Sequence, residues 1–174
     1  MTPVEVLIRE ETPEDIPAIH EVNEAAFGRP DEALLVDRLR ANGAVLLSLV
    51  AIAGERVVGH ILYSPVTLGE RDAPLDGAGL GPMAVLPEDQ RGGIGGRLVA
   101  EGTRRMRERG CPFIVVLGHP EYYPRFGFVP ASRHGVRCQW EVPDEVFMIL
   151  LLEPGRLGAR TGPVRYRDEF SMVS

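Results

Sequence analysis

The sequence predicts one domain of the α/β class, α+β by some schemes, built around a mixed β-sheet. Runs rich in β-branched residues occur in both halves of the 174-residue chain, and amphipathic helical segments alternate with some of them. No repeat, low-complexity tract or long linker interrupts this pattern. With 44% apolar residues, a chain of this length buries about 70% of its unfolded surface on folding. We therefore expect a single domain over residues 1–174.

The first part of the chain predicts two helices. A hydroxyl, a proline and two acids follow one another from Thr12 to Asp15, which is the pattern of a helix start. A second helix is expected over residues 31–41, with Leu34, Leu35 and Leu39 on its buried face.

The remaining elements are predicted from apolar runs and the turn residues between them. Strands over 45–52 and 56–68 form a hairpin, and a surface loop over 69–78 leads to a strand over 79–86. A glycine-rich turn then opens a helix that ends near residue 108 and is closed by Gly110. Further strands are expected over 113–117, 136–140 and 146–152, with a turn at Pro143-Asp144 before the last.

The charged residues exclude several chemistries. All 19 cationic side chains are arginines, so a Schiff-base lysine, a pyridoxal-phosphate anchor and a P-loop lysine are ruled out. The net charge of −6 argues against a surface made for nucleic acid. Residues 91–109 nevertheless carry six arginines and two glutamates, and such a local positive patch favours a small anionic ligand.

The sequence also predicts a cytoplasmic protein with no membrane partner and no metal. The longest apolar run, residues 44–53, falls far short of a membrane span, and the first ten residues do not form a secretory signal. Cys111 and Cys138 match no short metal-ligand spacing, and we expect both thiols to be reduced.

The glycine-rich turn over residues 90–96 predicts a phosphate-binding site. It stands between a predicted strand and a predicted helix whose buried stripe is Ile94, Leu98, Gly102 and Met106. Glycines there expose backbone N–H groups at the positive end of the helix. The spacing fits neither a P-loop nor the dinucleotide pattern G-x-G-x-x-G. It fits Q/R-x-x-G-x-G/A, and a flexible strand-to-helix loop is the plainer alternative.

At this point the chain resembles the GNAT superfamily of N-acetyltransferases. Its first motif matches the strand residues 83–87 together with the turn, and its second matches Tyr122 to Phe128, two aromatics followed at the right distance by Gly-Phe. The resemblance covers residues 7–152 and leaves 153–174 as a C-terminal extension. It implies a mostly antiparallel sheet of six to seven strands, flanked by helices, in which two central parallel strands splay apart. The chain is also similar to a bacterial branch of predicted acetyltransferases of unassigned substrate.

The resemblance implies which residues bind acetyl-CoA, as a co-substrate, in the cleft between the splayed strands. The pantetheine arm would pair with the backbone of the first splayed strand, and the pyrophosphate would lie on the N–H groups of the turn. Pro82 fits a splay point, because proline is poorly tolerated in a fully paired central strand. The implied cofactor-binding residues are Met83, Ala84, Val85, Arg91, Gly92, Gly93, Ile94, Gly95 and Gly96.

Two catalytic candidates follow, and two departures from the family pattern accompany them. Tyr123 matches the tyrosine that protonates the departing CoA thiolate, and a phenol stays protonated at neutral pH. Only residues 118–121 stand where the family has a full helix. The strand over 79–86 lacks the family's glutamate base, so His119 is the first alternative, since imidazoles titrate near neutral pH. Glu24, Glu121 and His60 are weaker ones.

The predicted function is acetyl transfer from acetyl-CoA to a primary amine of a small molecule or protein, by direct attack in a ternary complex. Backbone N–H groups of the splayed strand would stabilise the oxyanion. Because the strand glutamate is missing, a non-catalytic acyl-CoA sensor is the alternative. An acyltransferase with a hydroxyl acceptor or a longer acyl donor is a weaker one. Acidic residues near 27–35 and 141–146 favour a cationic acceptor, and a homodimer is compatible with the sequence.

Overall fold

The computed structural model describes residues 5–69 and 72–173, and within them the chain forms nine strands and four α-helices. The strands are β1 (Val6–Glu10), β2 (Leu47–Ala53), β3 (Arg56–Leu68), β4 (Leu75–Val85), β5 (Phe113–Leu117), β6 (Val129–Pro130), β7 (Val136–Cys138), β8 (Phe147–Leu151) and β9 (Gly162–Arg165). The helices are α1 (Ile16–Phe27), α2 (Asp31–Ala41), α3 (Ile94–Glu108) and α4 (Pro154–Leu157).

The strands form a mixed sheet in which antiparallel pairs predominate. Seven of them follow the order β1-β2-β3-β4-β5-β8-β6, and β9 pairs with both β3 and β7. Strands β4 and β5 are parallel neighbours, as are β7 and β9. The predicted mixed, mostly antiparallel sheet flanked by helices is confirmed, and the two short strands β7 and β9 add to its seven-strand path.

The contacts of the chain divide into two compact units. The first comprises the chain up to Tyr63, residues Pro82–Arg104 and the stretch from Asp168 onward, and the second comprises Ser64–Gly81 and Arg105–Arg167. Strands β3 and β4 and helix α3 each contribute residues to both units. The prediction of a single domain over residues 1–174 stays a prediction.

In the first unit, the apolar faces of α1 and α2 pack in one core with residues of β2 and β3. Its fully buried members include Ile19, Leu39, Val50 and Leu62. Helix α2 has the predicted bounds, but the prediction that Leu34 is buried is wrong, because its side chain is 44% exposed. Adjacent leucines lie about 100° apart on a helix, so burial of Leu35 turns Leu34 outward.

Two glycines of the first unit mark where α3 meets β3. A Cβ on Gly102 would lie 2.2 Å from the hydroxyl oxygen of Tyr63, and one on Gly59 would lie 3.2 Å from side-chain atoms of Ile94 and Leu98. The missing side chains therefore let the helix lie close to the strand. The predicted buried stripe of α3 is confirmed, since Ile94, Leu98, Gly102 and Met106 are all buried.

In the second unit, β5 is the central strand. Its residues Ile114 to Val116 pair in parallel with Ala78 to Leu80 of β4, and the whole strand pairs antiparallel with β8. The paired stretch of β4 ends at Leu80, and the next residue, Gly81, has a φ of 142°. This conformation favours glycine, and it marks a change of backbone course just before Pro82.

The predicted loop over 69–78 is partly wrong, because β4 begins at Leu75. The glycines favour a loop, but Gly77 lies in the strand, where its missing side chain leaves room for a ring. A Cβ there would lie 2.4 Å from the ring of Phe113. Residues 70 and 71 of this predicted loop lie outside the described residues. Strands β1, β6 and β9 were not predicted, and they are short enough to carry little periodicity.

Candidate functional site

The glycine-rich turn, residues 90–96, belongs to the first unit and contains two residues with positive φ. Arg91 has a φ of 69° and Gly93 a φ of 85°. A left-handed conformation costs an arginine roughly 1–2 kcal/mol, and such strain is concentrated at functional sites. The first described hydrogen bond of α3 joins the Arg97 N–H to the Gly93 carbonyl at 3.1 Å.

The opening of α3 leaves backbone donors that the helix itself does not use. The N–H groups of Ile94, Gly95 and Gly96 precede the first helical hydrogen bond, and they lie at the positive end of the helix dipole. Gly92 and Gly93 are exposed, whereas the Ile94 side chain is 8% exposed. Ile94 therefore combines a core side chain with a backbone donor in the turn.

A side chain of the turn fixes it to the end of β4. Gln90 donates from Nε2 to the Val85 carbonyl at 2.9 Å, and the Leu86 N–H donates to Val58 of β3 at 2.9 Å. The three strand residues named by the sequence, 83–85, end this strand, with Ala84 buried and its two neighbours half-buried. All nine predicted cofactor-binding residues thus lie in one continuous strand-turn-helix segment of the first unit.

The arginines near the turn differ in their partners. Arg104 bonds to Glu101 through Nε at 2.5 Å and through Nη2 at 3.2 Å. Arg91 and Arg97 are exposed beside the turn. Of the positive residues that the sequence placed near phosphates, these two are therefore the better candidates, because Arg104 already has an anionic partner on its own helix.

Tyr123 belongs to the second unit and lies in an aromatic setting. Its side chain is 7% exposed, and its ring packs edge-on against Tyr122, with centroids 5.1 Å apart, and against Phe128, with centroids 5.7 Å apart. Burial, followed by the neighbouring Tyr122, raises the pKa of the Tyr123 phenol to about 12. The phenol is consequently protonated throughout the neutral range.

The Tyr123 ring occupies the space that a side chain on Gly118 would need. A Cβ on Gly118 would lie 2.3 Å from Cε2 of the ring. The Gly118 N–H donates to the Val146 carbonyl at 2.9 Å, which fixes this glycine beside the start of β8. Sequence analysis identified Tyr123 but not Gly118, and the local signal for Gly118 is that a glycine directly follows β5.

The segment between β5 and Tyr123 is as short as the sequence predicted. It forms a turn, and a single 3-10 helix over Tyr123–Phe126 follows it. His119 is exposed, and its carbonyl accepts the Tyr122 N–H at 3.1 Å and the Tyr123 N–H at 3.4 Å. The backbone of His119 therefore helps to hold Tyr123, while its imidazole is open to solvent.

His60, a weaker base candidate, lies in a buried network of the first unit. Its ring is fully buried, with Nε2 2.8 Å from the Ser48 Oγ and Nδ1 3.1 Å from the Asn23 Nδ2. Ser48 also bonds to Glu11, which accepts two hydrogen bonds of 2.9 Å from Arg40. Burial lowers the pKa of His60 to about 4, so the ring is neutral and joins α1 to the sheet.

Neither a metal cluster nor a membrane span is found in the described part of the chain. Residues 5–69 and 72–173 contain no group of three or more His, Cys, Asp or Glu side chains that could hold a metal ion. None of the described helices is long and apolar enough to cross a bilayer.

Comparison with known proteins places this strand-turn-helix segment in a family. Residues 7–131 match the model of the acetyltransferase (GNAT) domain. The uncharacterized N-acetyltransferase YjhQ of Escherichia coli is 43% identical over 163 residues, covering 88% of each chain. The uncharacterized N-acetyltransferase YhbS of the same species is 36% identical over 167 residues, covering 95% of this chain and 99% of YhbS.

Solved structures agree with these sequence relatives. The crystal structure of Escherichia coli YhbS in complex with CoA has a TM-score of 0.92 and 34% identity, covering 100% of this chain and 96% of that one. A GNAT family acetyltransferase from Brucella melitensis in complex with acetyl-CoA has a TM-score of 0.78 and 37% identity, covering 97% and 99%. The domain match, the relatives and the shared fold together show that the chain belongs to the GNAT family of N-acetyltransferases.

Proposed function

We propose that this protein transfers the acetyl group of acetyl-CoA to a primary amine by direct attack in a ternary complex. The observation that carries the proposal is the turn over residues 90–96, with its left-handed Arg91 and Gly93 at the start of α3. The family membership and the CoA and acetyl-CoA complexes of the two similar structures support it.

The proposed acetyl-CoA site uses backbone atoms of the first unit. The N–H groups of Gly93 to Gly96 would donate hydrogen bonds to the pyrophosphate, because donors at a helix N-terminus suit a dianion. The end of β4, residues 83–85, would pair with the pantetheine arm. Arg91 and Arg97 are the side chains we expect to add charge-assisted contacts, each contributing about 1.5–3 kcal/mol where a hydrogen bond forms.

In the proposed reaction, the amine nitrogen attacks the thioester carbon and forms the N–C bond. The C–S bond then breaks, and the sulfur leaves with its electron pair. The nitrogen loses its extra proton to a base, and the released thiolate takes a proton from solvent. Tyr123 is the proposed group that donates a hydrogen bond to the departing sulfur. Its pKa of about 12 exceeds the reference value of about 8.5 for a thiol, so complete transfer to a free thiolate runs uphill. We therefore infer that the phenol acts by hydrogen-bonding to the sulfur while the C–S bond breaks.

The attacking amine must be neutral, so its ammonium form has to lose a proton. No acid lies in residues 79–86, and the one acid of β4, Asp76, lies near its opposite end. This favours either a base from another segment or an acyl-CoA sensor without catalysis. His119 is our candidate base, because its imidazole is exposed four residues before Tyr123. The cytoplasm is the proposed location and a homodimer the proposed assembly, and neither enters the chemistry.

The test combines acetyl-CoA binding with release of the CoA thiol. Calorimetry measures binding, and a thiol reagent follows turnover with a panel of primary amines and of alcohols of the same shape. We expect saturable binding and thiol release that depends on the amine and not on the alcohol. Binding without release across the panel would support the sensor, release with alcohols the hydroxyl acyltransferase, and absence of binding would contradict both.

A further inference from the structure

Glycines alternate along β4, and aromatic rings of the second unit cover two of them. Alternate residues of a strand lie on one face of the sheet. On the face that carries Gly77 and Gly79, a Cβ at Gly77 would lie 2.4 Å from the ring of Phe113. A Cβ at Gly79 would lie 2.9 Å from Cε2 of Tyr166, whereas one at Gly81 would meet no described atom within 4 Å. The ring of Tyr166 therefore covers β4 directly before its backbone changes course.

The ring of Tyr166 occupies the space that a side chain on Gly79 would need. The Tyr166 side chain is buried, and its burial raises the pKa of the phenol. The two ring atoms nearest to the missing Cβ are the carbons Cε2 and Cδ2, at 2.9 Å and 3.4 Å. Val66 of β3 borders the same space, with its Cγ1 3.0 Å from that position. The ring carbons, rather than the hydroxyl, therefore pack against the strand.

The neighbours of Tyr166 fix the position of this ring. Tyr166 directly follows β9, which pairs antiparallel with the end of β3 and in parallel with β7. The Tyr166 N–H donates to the Gln139 side chain. The rings of Tyr166 and Trp140 lie 5.2 Å apart between centroids and are tilted by 36°. Strand pairing on two sides, a hydrogen bond and a ring contact thus hold Tyr166 over β4.

The part of β4 under this ring leads directly into the proposed pantetheine site. The pairing of β4 with β5 ends at Leu80, one residue after Gly79. Residues 83–85, which we expect to pair with the pantetheine arm, complete the same strand. Tyr166 itself lies in the C-terminal extension, beyond residues 7–131 that match the GNAT domain. A residue from outside the matched region therefore packs against the last stretch of β4 that β5 also holds.

We infer that Tyr166 is a positioning residue for acetyl-CoA. Its ring holds Gly79 and the strand beyond it, so that the backbone of residues 83–85 can pair with the pantetheine arm. The inference rests on the proposed function, because the pantetheine site is part of that function. Tyr166 acts through the backbone of β4, whereas the turn over residues 90–96 lies farther along the chain. Loss of the ring should therefore weaken binding of the pantetheine arm and spare binding of the pyrophosphate.

Hydrogen exchange of the unliganded protein tests whether the ring holds the strand. In Tyr166→Leu, amides of residues 79–86 should exchange about tenfold faster, because local opening becomes easier. Tyr166→Phe keeps both ring carbons and should exchange as the unmodified protein does. Gly79→Ala keeps the ring but forces it to shift, so it should also exchange faster over 79–86. Phe170→Leu is the matched control, because this ring of the same extension packs against the core of the first unit.

Calorimetric titration with two ligands tests the link to the cofactor. ADP carries a pyrophosphate and lacks the pantetheine arm, so acetyl-CoA and ADP report on different parts of the site. In Tyr166→Leu and Gly79→Ala we expect the Kd for acetyl-CoA to rise about fivefold, which is within the usual range of coupling between residues in contact. The Kd for ADP should stay unchanged in both. Tyr166→Phe and Phe170→Leu should bind both ligands as the unmodified protein does.

The outcomes separate this inference from the proposed function. Unchanged exchange over residues 79–86 in Tyr166→Leu and Gly79→Ala would overturn the inference even if the protein binds acetyl-CoA and transfers its acetyl group. Faster exchange with unchanged acetyl-CoA affinity, or with equal losses for acetyl-CoA and ADP, would also overturn it, because Tyr166 would then be a core residue only. If Tyr166→Leu does not fold, Gly79→Ala decides. Absence of acetyl-CoA binding by the unmodified protein would instead contradict the proposed function, and the pantetheine role of Tyr166 with it.

Discussion

The turn over residues 90–96 and the segment over 118–128, which contains the second motif at Tyr122 to Phe128, are built on different principles. The turn is defined by backbone: Arg91 and Gly93 have positive φ, and the Ile94 side chain is buried. The segment around Tyr123 is defined by one side chain, whose ring is held by Tyr122, Phe128 and the space over Gly118. The first region is therefore sensitive to changes of conformation, and the second to changes of single atoms.

The largest expected effect comes from removing one atom in the second region. Tyr123→Phe deletes the phenol oxygen and keeps the ring contacts, so we expect turnover to fall on the order of 10²-fold. The acetyl-CoA affinity should stay nearly unchanged. Tyr122→Phe is the matched control, because it removes the same atom from the half-buried ring beside it. Thiol release and calorimetry measure the two quantities, and equal turnover in both variants would remove Tyr123 from the mechanism.

A smaller effect is expected when the ring is displaced and the phenol is kept. In Gly118→Ala the new Cβ would overlap the Tyr123 ring, so the ring has to shift. Since small misplacements of reacting groups are costly, we expect turnover to fall about tenfold. Gly155→Ala is the control, because a Cβ there meets no atom within 4 Å. A Gly118→Ala protein with normal turnover would show that the position of the ring is not critical.

The contrast between the two regions also explains what the sequence predicted. Glycine spacing reports backbone conformation directly, so the turn, α3 and its buried stripe could be predicted from residues 90–108 alone. Tyr123 could also be identified from the sequence. Its environment could not be predicted, because Gly118, Tyr122 and Phe128 lie against its ring only when the segment folds over the end of β5.

Other features depend on contacts between distant parts of the chain. Gly77 suggested a loop, and its place in β4 is explained by the ring of Phe113, 36 residues away in sequence. The sequence offers His60 as a weaker base candidate, and its burial between Ser48 and Asn23 gives it a structural role instead. A cavity beside Trp140 is formed by β7, a loop and β8 together, so no local sequence pattern predicts it.

The central claim is that the backbone of the turn binds acetyl-CoA, and two matched glycine variants test it most directly. Gly93 in the turn and Gly54 between β2 and β3 have φ values of 85° and 64°, and a Cβ at either position meets no atom within 4 Å. Gly93→Ala and Gly54→Ala should therefore cost similar stability, roughly 1 kcal/mol.

Calorimetric titration with acetyl-CoA distinguishes the two. We expect the Kd of the Gly93→Ala protein to rise about tenfold, which corresponds to about 1.4 kcal/mol, because the turn can no longer hold its N–H groups toward the pyrophosphate without strain. The Kd of the Gly54→Ala protein should equal that of the unmodified protein. Equal, unchanged affinities in both variants would contradict the assignment of the turn as the pyrophosphate site.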